Sequence, residues 1–227
     1  MEVIAKSGLH PVAQRAGAHL GTVDGWRVVL GYGSVEAEQE AARERVALAD
    51  VSAAGKLVIQ GWGTDIDEAL GAQLGAAPEN PTDLVTFDGG WIAKTNRYEY
   101  YAVLPLDKVD GTVDALHVAF AEVHVHAHVT PVTHGRDAMA VLGPRAAEAL
   151  SKVCGLDFHE RVFPNHRAQI SSLAKVKVTI ARVDRGNLPC YEVHLDRTFS
   201  EYVWEVVLDA AGELGGMTIG LEALNKL

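Results

Sequence analysis

The chain of 227 residues is sparing with cysteine, aromatic residues and positive charge. Its two cysteines, Cys154 and Cys190, form neither a Cys-x-x-Cys pair nor a zinc-knuckle spacing, so they read as reduced thiols in apolar surroundings. No run of about 18 apolar residues occurs, which excludes a transmembrane helix. The opening Met1-Glu2-Val3-Ile4-Ala5-Lys6-Ser7 lacks a long apolar region and a small-residue cleavage site; no secretory leader is expected, and the expected location is cytoplasmic. Twenty basic residues against thirty acidic ones give a net charge of −10, which repels phosphate backbones and argues against nucleic-acid binding. Gly31-Tyr32-Gly33 lacks the third glycine and the crossover context of a dinucleotide fingerprint.

What the chain does have is a core-forming composition, 48% hydrophobic, and an internal echo. Gly55 to Gly61 runs into a helical stretch ending at Leu70, and Ala138 to Gly143 runs into Pro144–Leu150 in the same way. Ile92-Ala93-Lys94, Tyr101-Ala102-Val103 and Leu106-Asp107-Lys108 recur as Ile180-Ala181-Arg182, Tyr191-Glu192-Val193 and Leu195-Asp196-Arg197. A period of roughly 80 to 90 residues marks one α+β unit duplicated, not a short-repeat solenoid. The segments are about 35–122 and 123–214 of a single domain spanning 1–227. Two such halves would be related by a pseudo-two-fold axis, with a ligand crevice between them.

Local signals fill in the elements. Trp26–Leu30 reads as a strand, and Ser34 caps a helix from Val35 to Ala47 with acidic residues early and arginines late. Tight turns such as Asp88-Gly89-Gly90 and Asp184-Arg185-Gly186-Asn187 join paired strands. Antiparallel hairpins mixed with helical crossovers make the class α+β, mostly antiparallel, rather than a doubly wound parallel sheet. A strand is expected over Val123–Val129. There His124, His126 and His128 would share one face and offer a weak zinc-type metal site, or else a solvated or subunit-contact face.

From Arg43 through Asp50-Val51-Ser52 to Lys56 the chain resembles the glycine-cleavage T-protein family, the folate-dependent aminomethyltransferases. Gly89-Gly90, Leu142-Gly143-Pro144-Arg145 and Tyr191-Glu192-Val193 follow in the family order. The second half, with Phe163-Pro164, Val183-Asp184 and Phe199-Ser200-Glu201-Tyr202-Val203-Trp204, is similar to the gamma subunit of heterotetrameric sarcosine oxidase. The resemblance implies duplicated ferredoxin-like halves of a folate-binding fold and tetrahydrofolate as cofactor. It also implies Glu192 as the carboxylate that holds the pterin, with Tyr191, Trp91 and the family arginine Arg43 around it. A carboxylate suits this task because it accepts two hydrogen bonds from an aminopyrimidinone edge. Flat rings at Trp26, Trp62, Trp91 and Tyr98 are candidates for a pterin slot.

The departures from the family pattern carry equal weight. The aspartate that follows the Gly-Gly turn is replaced by Ala93 or Lys94, neither of which can act as that base at neutral pH. Ser-His-Met reads Ser52-Ala53-Ala54, a tyrosine falls at Arg185, and a late arginine reads Leu224. The family's further C-terminal β-barrel domain is not expected within the chain. The expectation is a tetrahydrofolate-binding-type subunit of a one-carbon system. It would be accessory to a sarcosine-oxidase-like or demethylating flavoprotein and part of a hetero- or homo-oligomer. The alternatives are an autonomous folate-dependent aminomethyl- or methyltransferase, and a structural partner subunit without ligand.

Overall fold

The computed structural model describes residues 4–227, with the Thr64 side chain outside what is described. In chain order the elements are β1 (Ala5–Lys6), α1 (His10–Arg15), β2 (His19–Val23), β3 (Trp26–Gly31), α2 (Val35–Glu44), β4 (Ala47–Asp50), β5 (Gly55–Gly61), α3 (Thr64–Leu74), β6 (Leu84–Phe87), β7 (Gly90–Asn96) and β8 (Glu99–Leu104). They continue with α4 (Val109–Glu122), β9 (Ala127–Pro131), β10 (Arg136–Leu142), α5 (Ala146–Ser151), β11 (Arg167–Leu173), β12 (Val176–Arg182), β13 (Cys190–Asp196), α6 (Ser200–Gly212), β14 (Met217–Thr218) and α7 (Leu221–Leu224). The class is α+β with mostly antiparallel sheets, as the hairpin turns imply.

The chain forms two compact units. One comprises residues 4–53, 134–165 and 170–227, and the other comprises 54–133 and 166–169. The first holds a three-stranded sheet, β1-β3-β2, and a six-stranded sheet, β11-β12-β13-β10-β4-β14. The second holds a five-stranded sheet, β6-β7-β8-β5-β9. The first five strands of the six-stranded sheet repeat this order, so the duplication seen in sequence is also one of topology. The leading strand of each copy is exchanged: β4 pairs antiparallel with β10, and β9 pairs antiparallel with β5. Each sequence segment therefore contributes to both units.

In the second unit, Leu57, Ile59, Ile92, Tyr100, Ala102 and Leu104 lie on the sheet face packed against Ile66, Leu70, Leu116 and Phe120 of α3 and α4. In the first unit, Met139, Val141, Val178, Ile180, Tyr191, Val193 and Leu195 pack against α5 and α6 in the same manner. Alternation along each strand then fixes which residues face away from the helices.

Two segments depart from the sequence reading. The helix after Ser34 ends at Glu44, and Ala47–Asp50 is a strand. Gly143, at φ +116, explains the change: a Cβ there would lie 2.5 and 2.7 Å from the carbonyls of Ala42 and Arg45, so the chain turns from α2 into the sheet against that glycine. The Ser34 cap is as expected, its hydroxyl accepting from the Ala37 amide at 3.3 Å. Glu38 is buried rather than solvated. Its carboxylate accepts from the amides of Tyr32 at 2.6 Å and Gly220 at 2.8 Å, tying α2 to two loops.

The second departure is the histidine segment. Helix α4 extends to Glu122, His124 takes a left-handed φ of +54, and the strand starts only at Ala127. Of the three histidines only His128 is on β9. The shared strand face expected for His124, His126 and His128 is not formed, and no group of three or more metal-type ligands occurs among the described residues.

Candidate functional site

Strand β13 places Glu192 opposite in direction to Tyr191. Tyr191 turns into the helical core, stacked on Phe163 at 6.2 Å and edge-on to Phe158 at 5.4 Å, with the Arg182 guanidinium 5.5 Å from its ring centre. Burial pushes its phenol up to about 12. Arg182 is buried as well. It is bonded to Asp184 at 2.9 and 3.0 Å, to Glu160, and to the Phe163 carbonyl at 2.9 Å. Tyr191 therefore belongs to packing, not to the face that carries Glu192.

Glu192 is 8% exposed, on the other face of the sheet. Its neighbours across the ladder are Ala140 on β10 and Ala181 on β12, and Ala140 is in turn opposite Ala49 on β4. One carboxylate thus stands in a row with three alanines. His194, two residues along the same face, places Nε2 3.3 Å from Glu192 Oε2. Cys190 shares this face; burial first, and the Glu192 charge second, push its thiol up to about 12, which keeps it protonated and inert.

Arg43 sits exposed in the last turn of α2, where it suits the helix dipole, and is not part of this buried face. Trp91 belongs to the second unit and is buried, its ring tilted 38° against Tyr101 at 6.0 Å. Trp26 is buried and stacked on His134 at 5.2 Å, so it is core.

The position of the family aspartate is resolved into its two parts. Ala93 is fully buried on the face of β7 shared with Trp91. Lys94 points to the opposite face, where its ammonium donates to both oxygens of Asp67 at 3.1 Å and to the Glu79 carbonyl at 3.3 Å. The Tyr100 hydroxyl also donates to Asp67, and burial raises its phenol well above the usual range. Sequence reading missed Asp67. Its only signal is an acidic residue in the first turn of α3, which the helix dipole alone explains.

This cluster floors a cavity of about 1110 Å³ in the second unit, at the end of the five-stranded sheet. Its walls come from the β5–α3 loop, the β7–β8 hairpin tip and the chain entering β9, including Trp62, Tyr98, His126 and His128.

Comparison with known proteins decides the family. Residues 82–227, well over half of the chain, match the model for the GCVT N-terminal domain. The chain belongs to this family. Relatives include the aminomethyltransferase of Acidobacterium capsulatum, 26% identical across 99% of this chain and 62% of that protein. That of Halothermothrix orenii is 27% identical across 98% and 64%. The chain thus spans a little under two thirds of the length of these relatives. Among solved structures, glycine cleavage system aminomethyltransferase T from Bartonella henselae shares the fold with a TM-score of 0.76 at 19% identity, covering 97% of this chain and 60% of that one. A chain of heterotetrameric sarcosine oxidase from Corynebacterium sp. U-96 shares it with a TM-score of 0.68 at 24% identity, covering 79% of this chain and 92% of that one. The GCVT fold accounts for the duplicated sheets and places Glu192 within the matched segment.

Proposed function

We infer that the chain is a tetrahydrofolate-binding subunit of a one-carbon system, accessory to a sarcosine-oxidase-like or demethylating flavoprotein, with Glu192 holding the pterin. The observation that carries this reading is the Glu192 row: a buried carboxylate between alanines of β10 and β12, with His194 beside it. That arrangement suits an aminopyrimidinone, whose N–H edge donates to a carboxylate and whose flat ring needs small neighbours.

Tetrahydrofolate, when bound, supplies the nitrogen that takes up a formaldehyde-level carbon. The chain's own contribution is to bind and orient it. No carboxylate is available at the position the family uses for transfer, since Ala93 has no proton-transfer group and the Lys94 ammonium is engaged by Asp67. This supports an accessory role over an autonomous aminomethyltransferase.

Two measurements test the reading: equilibrium binding of tetrahydrofolate to the purified chain, and turnover of the isolated chain on methylated amines. Saturable sub-millimolar binding without turnover is expected. Turnover by the isolated chain would replace the accessory reading with an enzymatic one. Co-purification with flavoprotein subunits but no folate binding would leave a structural partner.

A further inference from the structure

The cavity of the second unit is separate from the Glu192 row, and its lining is unusual for this chain. Three of the four tryptophans, Trp26, Trp91 and Trp204, are buried at 2–3% exposure, whereas Trp62 is 66% exposed. Tyr98 beside it is 51% exposed, and the two rings stand at 87° with centroids 6.4 Å apart. Together they present aromatic surface in two perpendicular planes at one cavity, with the Arg97 guanidinium over the Tyr98 ring.

Most of the charge around these rings is already met. Lys94 is held by Asp67, the oxygens of Glu99 accept from Thr95 at 3.0 Å and Gln60 at 3.1 Å, and the Arg97 guanidinium lies 5.4 Å from the Tyr98 ring. A strongly charged ligand would find few unanswered charges. What the walls do offer is aromatic surface together with groups that donate and accept: the Gln60 and Asn96 amides, and the His126 and His128 imidazoles. A volume of about 1110 Å³ is far more than a small amine fills, and suits a bicyclic ring with a substituent.

The geometry points to a second binding site here, for a neutral planar nitrogen heteroaromatic ring that stacks on Trp62 and meets Tyr98 at a right angle. Pterins and purines share that chemistry. The loop that carries Trp62 is fixed from below: a Cβ on Gly61 would meet Ile66 Cδ1 at 2.5 Å and the His126 carbonyl at 3.0 Å, so Gly61 lets the loop lie close against α3 and β9.

The test is equilibrium dialysis of the full chain carrying Glu192→Ala, which removes the pterin carboxylate proposed above, against 6-methylpterin and, separately, adenosine, alone and combined with Trp62→Ala or Tyr98→Phe. Saturable sub-millimolar binding of at least one ring is expected, and the ring bound identifies the source. Trp62→Ala should weaken it at least about tenfold, the scale of one aromatic–base stack. Tyr98→Phe, which keeps the ring, should retain it. Because Trp62 is exposed, its removal leaves the core intact, which circular dichroism verifies. In the wild type, the bound ring should also shield the exposed tryptophan from acrylamide quenching. Absence of saturable binding by either ring, or binding that survives Trp62→Ala, would overturn the proposal. Neither outcome bears on tetrahydrofolate at Glu192.

Discussion

The ammonium of Lys94 lies 5.0 Å from the centre of the Tyr100 ring. In the other unit the Arg182 guanidinium lies 5.5 Å from the centre of the Tyr191 ring. Lys94 and Arg182 occupy matching places in the sequence echo, and each cation is also held by an aspartate, Asp67 or Asp184. The duplicated units have thus kept one device, a cation pinned between a tyrosine and a carboxylate, on the helix-facing side of the sheet.

Removal of either cation leaves a carboxylate without its partner, and the cost scales with how buried that carboxylate is. Arg182→Met should destabilise the chain by about 3–5 kcal/mol. Lys94→Met should cost less, about 1–3 kcal/mol, because Asp67 is the more exposed acid, each acid keeping one other bond, from Tyr100 and from the Cys190 amide. Urea unfolding of the two variants checks the ranking; equal losses would contradict it.

Asp137 gives the pH dependence a sign. It is fully buried, and burial raises its carboxyl above the ordinary value, although Ser200 and the Gly8 amide, at 2.7 and 2.6 Å, pull the other way. A raised folded-state value means the native state binds the proton more tightly. The resulting stabilisation is complete below the unfolded carboxylate value and is lost as pH rises through the folded one. Asp137→Asn keeps an acceptor for Ser200 and Gly8 and should flatten this part of the stability profile from the unfolded carboxylate value of about 4 upward. Asp137→Ala leaves both donors unpaired and should cost about 1–3 kcal/mol at every pH. Chemical denaturation across that range distinguishes the two.

Gly8 is locked to the same site. A Cβ there would lie 2.6 Å from Asp137 Oδ2 and 3.0 Å from the Arg197 carbonyl. Gly8→Ala should destabilise by about 1–3 kcal/mol, the usual cost of overpacking. A thermal melt indistinguishable from the wild type would contradict the close approach.

Both cysteines are free and buried, and the Cys190 thiol is pushed up to about 12. Neither should react with a thiol reagent in the native state, and both should react on unfolding. Rapid labelling of the folded chain would contradict this.

Much of the fold was legible because hairpin turns, the Ser34 cap and the long-period echo are local signals. The echo's register was not. Aligning Tyr101 with Tyr191 pairs residues on opposite faces, since Tyr191 faces the helices while in β8 it is Tyr100 that does so. By face, Tyr101 is the counterpart of Glu192. A one-residue slip inverts every side chain on a strand, and two adjacent tyrosines hide it. Strand β4 was missed because Val46-Ala47-Leu48-Ala49 continues a helical composition, and only the turn against Gly143 redirects it. The histidines were misplaced because the chain leaves α4 through His124 at a left-handed φ of +54, so the alternating stretch becomes a strand only from Ala127. Glu192 is proposed from resemblance; its row of alanines, contributed by β10 and β12, depends on pairing that no local pattern encodes.

The most direct test of the central claim is the tetrahydrofolate affinity of the chain with and without Glu192→Ala, with Trp62→Ala run in parallel so that the second cavity cannot contribute. A buried carboxylate that accepts two hydrogen bonds is worth about 2–4 kcal/mol, so Glu192→Ala should weaken binding by about 30-fold or more in both backgrounds. Tetrahydrofolate binding that is saturable and unchanged by Glu192→Ala would contradict the account.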